Sequence, residues 1–198
     1  MGDEGLTARL VERLAERLAE TPSQTAGPFV HIGTAPQAIG RNAAINMPGA
    51  EIDSDTGPAI EIEGTVFDGA GAPVRDCMLE IWQADGRGRV GEHGLFARAT
   101  ADLSTGLFRF RTVKPGVHAE GHAPHIALLI FARGINIHLH TRIYFEEDRT
   151  AIAADGDFGR MDPATRETLI ARAVEGTADR YRFDIRLQGT GETAFFDI

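Results

Sequence analysis

Seven histidines are the side chains in this 198-residue sequence best suited to hold a metal or move a proton: His31, His93, His118, His122, His125, His138 and His140. Imidazole nitrogen ligates zinc or iron well. The run His118-x3-His122-x2-His125 can gather three rings in one place. His138-x-His140 puts two rings on one face of a strand, where side chains repeat every second residue. Neither spacing matches a standard zinc pattern, and no carboxylate is tied to the histidines by spacing. On residue types alone, structural or surface histidines are the better reading.

Other chemistry is thinner. The single cysteine, Cys77, excludes an intrachain disulfide and a cysteine-rich zinc site. It sits in the alternating run Cys77-Met-Leu-Glu-Ile-Trp82 and reads as a buried strand thiol rather than a nucleophile. The consecutive acids Glu146-Glu147-Asp148 diverge from one another and read as a solvated turn. There is no Gly-x-Ser-x-Gly elbow and no phosphate-cradling glycine-lysine loop. Gly86-Arg-Gly88-Arg-Val-Gly91 has the spacing of a dinucleotide fingerprint but opens no helix, so it reads as a loop.

Charge and composition bound the partners. With 29 acids against 20 lysines and arginines the formal charge is −9, which repels phosphate backbones unless the bases cluster. The densest basic spot, Arg87-Gly88-Arg89, is short, so no nucleic-acid partner is expected. No stretch approaches the roughly 20 apolar residues of a membrane helix. The first residues show neither a secretory nor a myristoylation pattern. These features suit a cytoplasmic protein, and the length suits one domain.

The elements that must position such residues are mostly strands. Alternating or continuous apolar runs at 61–67, 77–83, 107–113, 125–133, 138–145, 181–187 and 193–196 are separated by turn residues, and 125–133 reads as buried on both faces. A helix is predicted over residues 1–20 from the stripe Leu6, Leu10, Val11, Leu14 and Leu18. Residues 21–47 lack periodicity and form a long functional candidate loop. One late helix is predicted between Asp162, as N-cap before Pro163, and Gly176, with Leu169, Ile170 and Ala173 as its apolar stripe. The sum is a mainly β, two-sheet sandwich of short, mostly antiparallel strands, residues 21–198, with an N-terminal and a late helix.

Several segments carry a resemblance. Thr21-Pro-Ser-Gln-Thr-Ala-Gly-Pro-Phe29-Val-His-Ile-Gly33, Leu79-Glu-Ile-Trp-Gln-Ala-Asp85, Phe110-Arg-Thr-Val-Lys-Pro-Gly116, Phe131-Ala-Arg-Gly-Ile-Asn-Ile-His-Leu-His-Thr-Arg142 and Tyr181-Arg-Phe-Asp-Ile-Arg-Leu-Gln-Gly189 resemble motifs of the intradiol ring-cleaving dioxygenases. With Glu192-Thr-Ala-Phe-Phe-Asp197 they look specifically like the α-type subunit of the hetero-oligomeric members.

That resemblance implies Fe(III) held by two tyrosines and two histidines of a homologous β subunit, and a catechol-type aromatic acid as substrate. In this chain the second ligand tyrosine would follow Lys114-Pro-Gly-Val117, where His118 stands, and the His-x-His pair becomes His125-Ile-Ala127. No tyrosine lies between Trp82 and Phe108, the span of the first. His118, His125 and Ala127 are therefore expected to be degenerate positions that hold no metal. The α-type chain is expected to wall a shared active site with Thr25, Gly27, Pro28, Phe29 and Arg133. A phenylalanine at 29 stands where the resembled subunits carry tyrosine. The alternatives are a noncatalytic binding or assembly sandwich derived from the family, and a metallohydrolase on His118, His122 and His125.

Overall fold

The computed structural model describes residues 21–41 and 49–197; the helix expected over 1–20 lies outside the described residues. Nine strands run in chain order as β1 (Ala59–Phe67), β2 (Met78–Gln83), β3 (Leu95–Thr100), β4 (Leu107–Val113), β5 (Ile126–Phe131), β6 (Leu139–Phe145), β7 (Ile170–Ala173), β8 (Arg180–Arg182) and β9 (Ile185–Arg186). Three short α-helices join them, α1 (Val30–Thr34), α2 (Arg149–Ala154) and α3 (Pro163–Glu167).

The mainly β expectation is borne out, and the two layers prove to be continuous. Their hydrogen-bonded order is β3-β2-β5-β6-β7-β8-β1-β4, with β9 added to β1. One layer, β3-β2-β5-β6, is wholly antiparallel. The other, β7-β8-β1-β4, includes the parallel pair β1–β8. A parallel seam of only two residue pairs, Tyr144↔Ile170 and Phe145↔Ala171, links them into a nearly closed barrel. The apolar faces meet inside around Ile62, Leu79, Ile81, Phe108, Phe110 and Leu128. Successive side chains alternate across β6, so Phe145 enters this core while Tyr144 enters a second cluster with Ile152, Phe158 and Leu169.

Gly64 is required where the layers cross. A Cβ there would lie 1.8 Å from the Phe183 carbonyl oxygen and 2.6 Å from the Phe108 ring. The run 181–187 is split into β8 and β9 because the Asp184 side chain, not a backbone carbonyl, accepts the Thr65 N–H at 2.9 Å.

Several expectations are corrected. The late helix is a short one: Asp162 does cap it, accepting from Ala164 and Thr165 N–H groups, but α3 ends at Glu167. Ile170 and Ala173 belong to β7, where strand pairing overrides a stripe too short to distinguish the two periods. The segment 193–196 forms no strand and is held by isolated bonds, Thr193 N–H to Arg186 O and Phe196 N–H to His140 O. Strand β3 went unread because its inward residues are Ala97 and Ala99, weak apolar signals. Over 125–133 burial alternates, with Ala127, Leu129 and Phe131 only half buried, so that strand is not covered on both faces. The loop 21–47 is not structureless, containing α1 and a 3-10 turn at Pro36–Ile39.

The acidic turn is also more than a solvated one. Glu147 accepts from Lys114 Nζ at 2.6 Å and from the Tyr181 hydroxyl, and Glu146 accepts from Ala173 N–H at 2.8 Å. Among the described residues no helix is long and apolar enough to cross a membrane.

Candidate functional site

Two regions bear on function, and the antiparallel pairing of β2 with β5 positions both. At one end of that pair Trp82 faces Ala127; at the other Met78 faces Phe131.

At the Met78 end, continuing the register two residues further sets Asp76 opposite Arg133. The chain turns immediately after β5: Ile135 N–H donates to Ala132 O at 3.2 Å, and Gly134 takes φ +84. A left-handed third position is the mark of a type II turn and suits glycine. Arg133 is thus held on the crest of the turn, its side chain 67% exposed, with Nε 3.0 Å from Asp76 Oδ2. Its two terminal nitrogens have no hydrogen-bond partner among the described residues.

The loop carrying the other expected residues is fastened to the same turn. Thr25 Oγ1 donates to Ala132 O at 3.2 Å, so one carbonyl serves both the turn and the loop. Gly27-Pro28-Phe29-Val30 forms a second turn, closed by Val30 N–H to Gly27 O at 3.2 Å. Pro28 fills the position whose φ proline already has, and Phe29 follows at φ −107, ψ 13. That turn leads into α1 and leaves the Phe29 ring 70% exposed. Helix α1 is pinned at its far end, where Arg98 donates to Thr34 O at 2.9 Å while its guanidinium pairs with buried Glu80. A Cβ on Gly27 would meet nothing within 4 Å, so no part of this chain requires glycine there. The fold thus joins Thr25 to the Arg133 turn directly, and Gly27, Pro28 and Phe29 follow on the same tethered loop.

At the Trp82 end lies a cleft of about 370 Å³ lined by Trp82, Val90, Leu95, His118 and His125, among others. Close backbone packing braces the two loops that carry lining residues Val90 and His118. A Cβ on Gly88, at φ +81, would lie 2.0 Å from Val117 O, and one on Gly116 would lie 2.5 Å from Gly88 N. Buried Asp85 ties this loop, accepting from the Arg87 and Arg89 N–H groups and from the Arg89 guanidinium. Burial pushes its carboxyl up, but these hydrogen bonds outweigh that and hold it below the usual carboxylate range.

The His118 ring centroid lies 5.2 Å from that of His125 and 5.9 Å from that of His122. Burial lowers the His125 pKa to about 4, and its Nδ1 is bonded to Ala123 O at 2.9 Å, so its ring is a neutral imidazole. Burial, reinforced by neighbouring His122, also lowers that of His118. The methyl of Ala127 sits between its cross-strand neighbours Trp82 and Arg142.

The fold brings in one group that sequence spacing did not place: the Tyr144 ring, 5.3 Å from His125. Its phenol is fully buried, which raises its pKa, and Arg142 lies 3.4 Å from its oxygen. It is a neutral phenol in a packed cluster. Ferric iron favours hard anionic oxygen donors, and the cleft is lined by two imidazoles, His118 and His125, with no tyrosine or carboxylate among its lining residues, while Tyr144 lies packed in the second core cluster. The residues do not fit the metal.

The three histidines do not converge as a metal triad either. Among the described residues the group whose donor atoms lie within 4.8 Å of one another is His122, Asp155 and Asp157. Its carboxylates are already engaged: Asp155 accepts the N–H groups of Ala123, Asp157 and Phe158, and Asp157 accepts from Arg142 at 3.0 Å. This cluster fastens the segment before β5 to the loop after α2.

The remaining histidines are dispersed. His31 is buried in α1, and His93 pairs loosely with Glu92. His138 and His140 pack on Phe131 and Phe196 respectively.

Comparison with known proteins places this architecture. A family model described as Dioxygenase matches residues 34–189. The protocatechuate 3,4-dioxygenase alpha chain of Pseudomonas putida is 46% identical over 194 residues, covering 90% of this chain and 96% of that one. The chain belongs to the intradiol ring-cleaving dioxygenase family. The protocatechuate 3,4-dioxygenase beta chain of Burkholderia cepacia is a more distant relative, 34% identical over 69% of this chain and 67% of its own length. The dioxygenase domain from Streptomyces sp. SirexAA-E has the same fold, with TM-score 0.56 at 24% identity over 88% of this chain and all of that one. Intradiol dioxygenases are oxidoreductases that depend on non-haem iron(III). This member has the family fold and a cleft whose side chains do not suit that iron.

Sequence reading missed Asp76 and Tyr144. No motif marks either; each became visible only through cross-strand register or ring packing.

Proposed function

We propose that this chain is the non-iron-binding alpha subunit of a protocatechuate 3,4-dioxygenase, working in the cytoplasm beside a homologous beta subunit that holds the Fe(III). The assembled enzyme opens protocatechuate with O2 between its two hydroxylated carbons to give 3-carboxy-cis,cis-muconate. The observation that carries the reading is the cleft at His118, His125 and Ala127, which retains a dioxygenase framework without anionic donors for ferric iron. The likeness along nearly the whole length to an alpha chain supports it.

This chain's own work is binding and orientation. Arg133 offers a planar fork of N–H donors that pairs with the ring carboxylate of the substrate. The Thr25-Ala-Gly-Pro-Phe29 loop supplies rigid apolar contact at low entropic cost, and Gly27 lets a flat ring lie close to the backbone. Holding the substrate acid in one orientation accelerates whatever chemistry the partner's centre performs.

The test is expression alone and together with the beta subunit, followed by metal analysis and oxygen uptake. The isolated chain is expected to be iron-free and inactive, and the pair coloured, iron-bearing and active. Stoichiometric iron held by this chain alone, or full turnover of the beta subunit without it, would overturn the proposal.

A further inference from the structure

We infer that Asp76 is a positioning residue: it holds the Arg133 guanidinium by its Nε so that the two terminal nitrogens face outward as a fork for a carboxylate. The inference rests on the reading of Arg133 given above.

Asp76 is 9% exposed, whereas the side chain it holds is 67% exposed. An arginine so exposed would ordinarily sample many rotamers. Here one end is anchored to a carboxylate fixed in the protein at 3.0 Å. Asp76 Oδ1 is buried and has no hydrogen-bond partner. Arg133 is therefore the one charge partner that compensates this carboxylate among the described residues, and an unpaired buried charge is strongly disfavoured. The pairing is enforced from the Asp76 side.

Geometry decides which donors remain. The contact is an ion pair whose nearest guanidinium atom is Nε, at 3.0 Å, and the terminal nitrogens have no hydrogen-bond partner among the described residues, which leaves them for the two oxygens of a carboxylate. The crest of the 132–135 turn and the Thr25 bond to Ala132 O fix the backbone beneath, so both ends of the Arg133 side chain are constrained. A bidentate carboxylate contact gains most when the fork is held before the ligand arrives.

The experiment uses the reconstituted two-subunit enzyme with Arg133→Ala, Asp76→Asn and the double variant, assayed on protocatechuate and on catechol, which lacks the carboxylate. Asp76→Asn is expected to raise KM for protocatechuate about 3- to 10-fold with kcat little changed. KM for catechol should stay put, and Asp76→Asn should add nothing in the Arg133→Ala background. A uniform loss on both substrates, or additive effects, would overturn the positioning role.

If Arg133→Ala raises KM and Asp76→Asn does not, this inference alone fails. If Arg133→Ala itself leaves KM for protocatechuate unchanged, the carboxylate-binding reading fails and takes this one with it. Arg133→Lys is the second arm, needed should Asp76→Asn assemble poorly. It keeps the charge and lacks the fork, so a KM rise like that expected for Asp76→Asn supports the inference and an unchanged KM refutes it.

Discussion

The His118–His125 cleft and the Arg133 edge lie at opposite ends of the same strand pair, yet their polar groups are in different states. Around the cleft most are spent, His118 excepted. Asp85 is filled by backbone and arginine donors, His125 is neutral and bonded to Ala123 O, and Asp155 and Asp157 are taken up by N–H groups and Arg142. At the edge they are left over: Arg133 has an unused fork, Asp76 an unbonded oxygen, and the Phe29 ring lies in the open. Buried groups with their partners in place describe finished architecture, whereas unused donors and a bare ring describe a surface that a second molecule completes. Under the proposed function the cleft is thus architecture, and the turn at the other end is where this chain would meet the substrate acid.

The sharpest way to break the contrast is to strike the loop packing beside the cleft. Gly88→Ala forces a Cβ to within 2.0 Å of Val117 O at φ +81. Left-handed strain and overpacking together should destabilise by about 3 kcal/mol, lowering Tm by roughly 6–12 °C in thermal unfolding. An unchanged Tm would mean that the glycine packing is not what holds the cleft.

A smaller effect distinguishes a satisfied imidazole from an available one. His125 has a folded pKa of about 4 against 6.5 for the free side chain. Between those values the unfolded chain binds the proton and the folded chain does not. Its stabilising contribution is therefore present above about pH 6.5, is lost as pH falls toward 4, and levels off below. The urea midpoint of the wild type should decline across that range more steeply than that of His125→Asn. Parallel curves would place the acid sensitivity elsewhere.

The gentlest probe is Phe29→Tyr at the edge. With the ring 70% exposed, the added hydroxyl should leave stability within about 0.5 kcal/mol. One neutral hydrogen bond gained in the shared site would lower KM by up to about 5-fold. A fall in stability on thermal unfolding would show that the ring packs within this chain after all.

Local pattern alone determined much of this protein. Alternation marked β1, β2, β4 and β6 closely, a continuous apolar run marked β5, Asp162 and Pro163 announced the start of α3, and the absence of tyrosine between Trp82 and Phe108 was plain in the string of residues. The motif resemblance named the family and the residues expected at the shared site. Where local signals were weak or ambiguous, only tertiary structure decided. Ile170 and Ala173 fit a helical stripe until pairing with β6 and β8 made them a strand, and alanine-rich β3 gave too little apolar contrast to be seen. The site's decisive pairings were likewise out of reach. Asp76 meets Arg133 across 56 intervening residues because β2 and β5 pair Met78 with Phe131, and Tyr144 meets His125 because β6 lies beside β5. Periodicity is a property of neighbours along the chain, whereas register is set when two distant strands bury their faces together, so no single segment encodes which side chains it will touch.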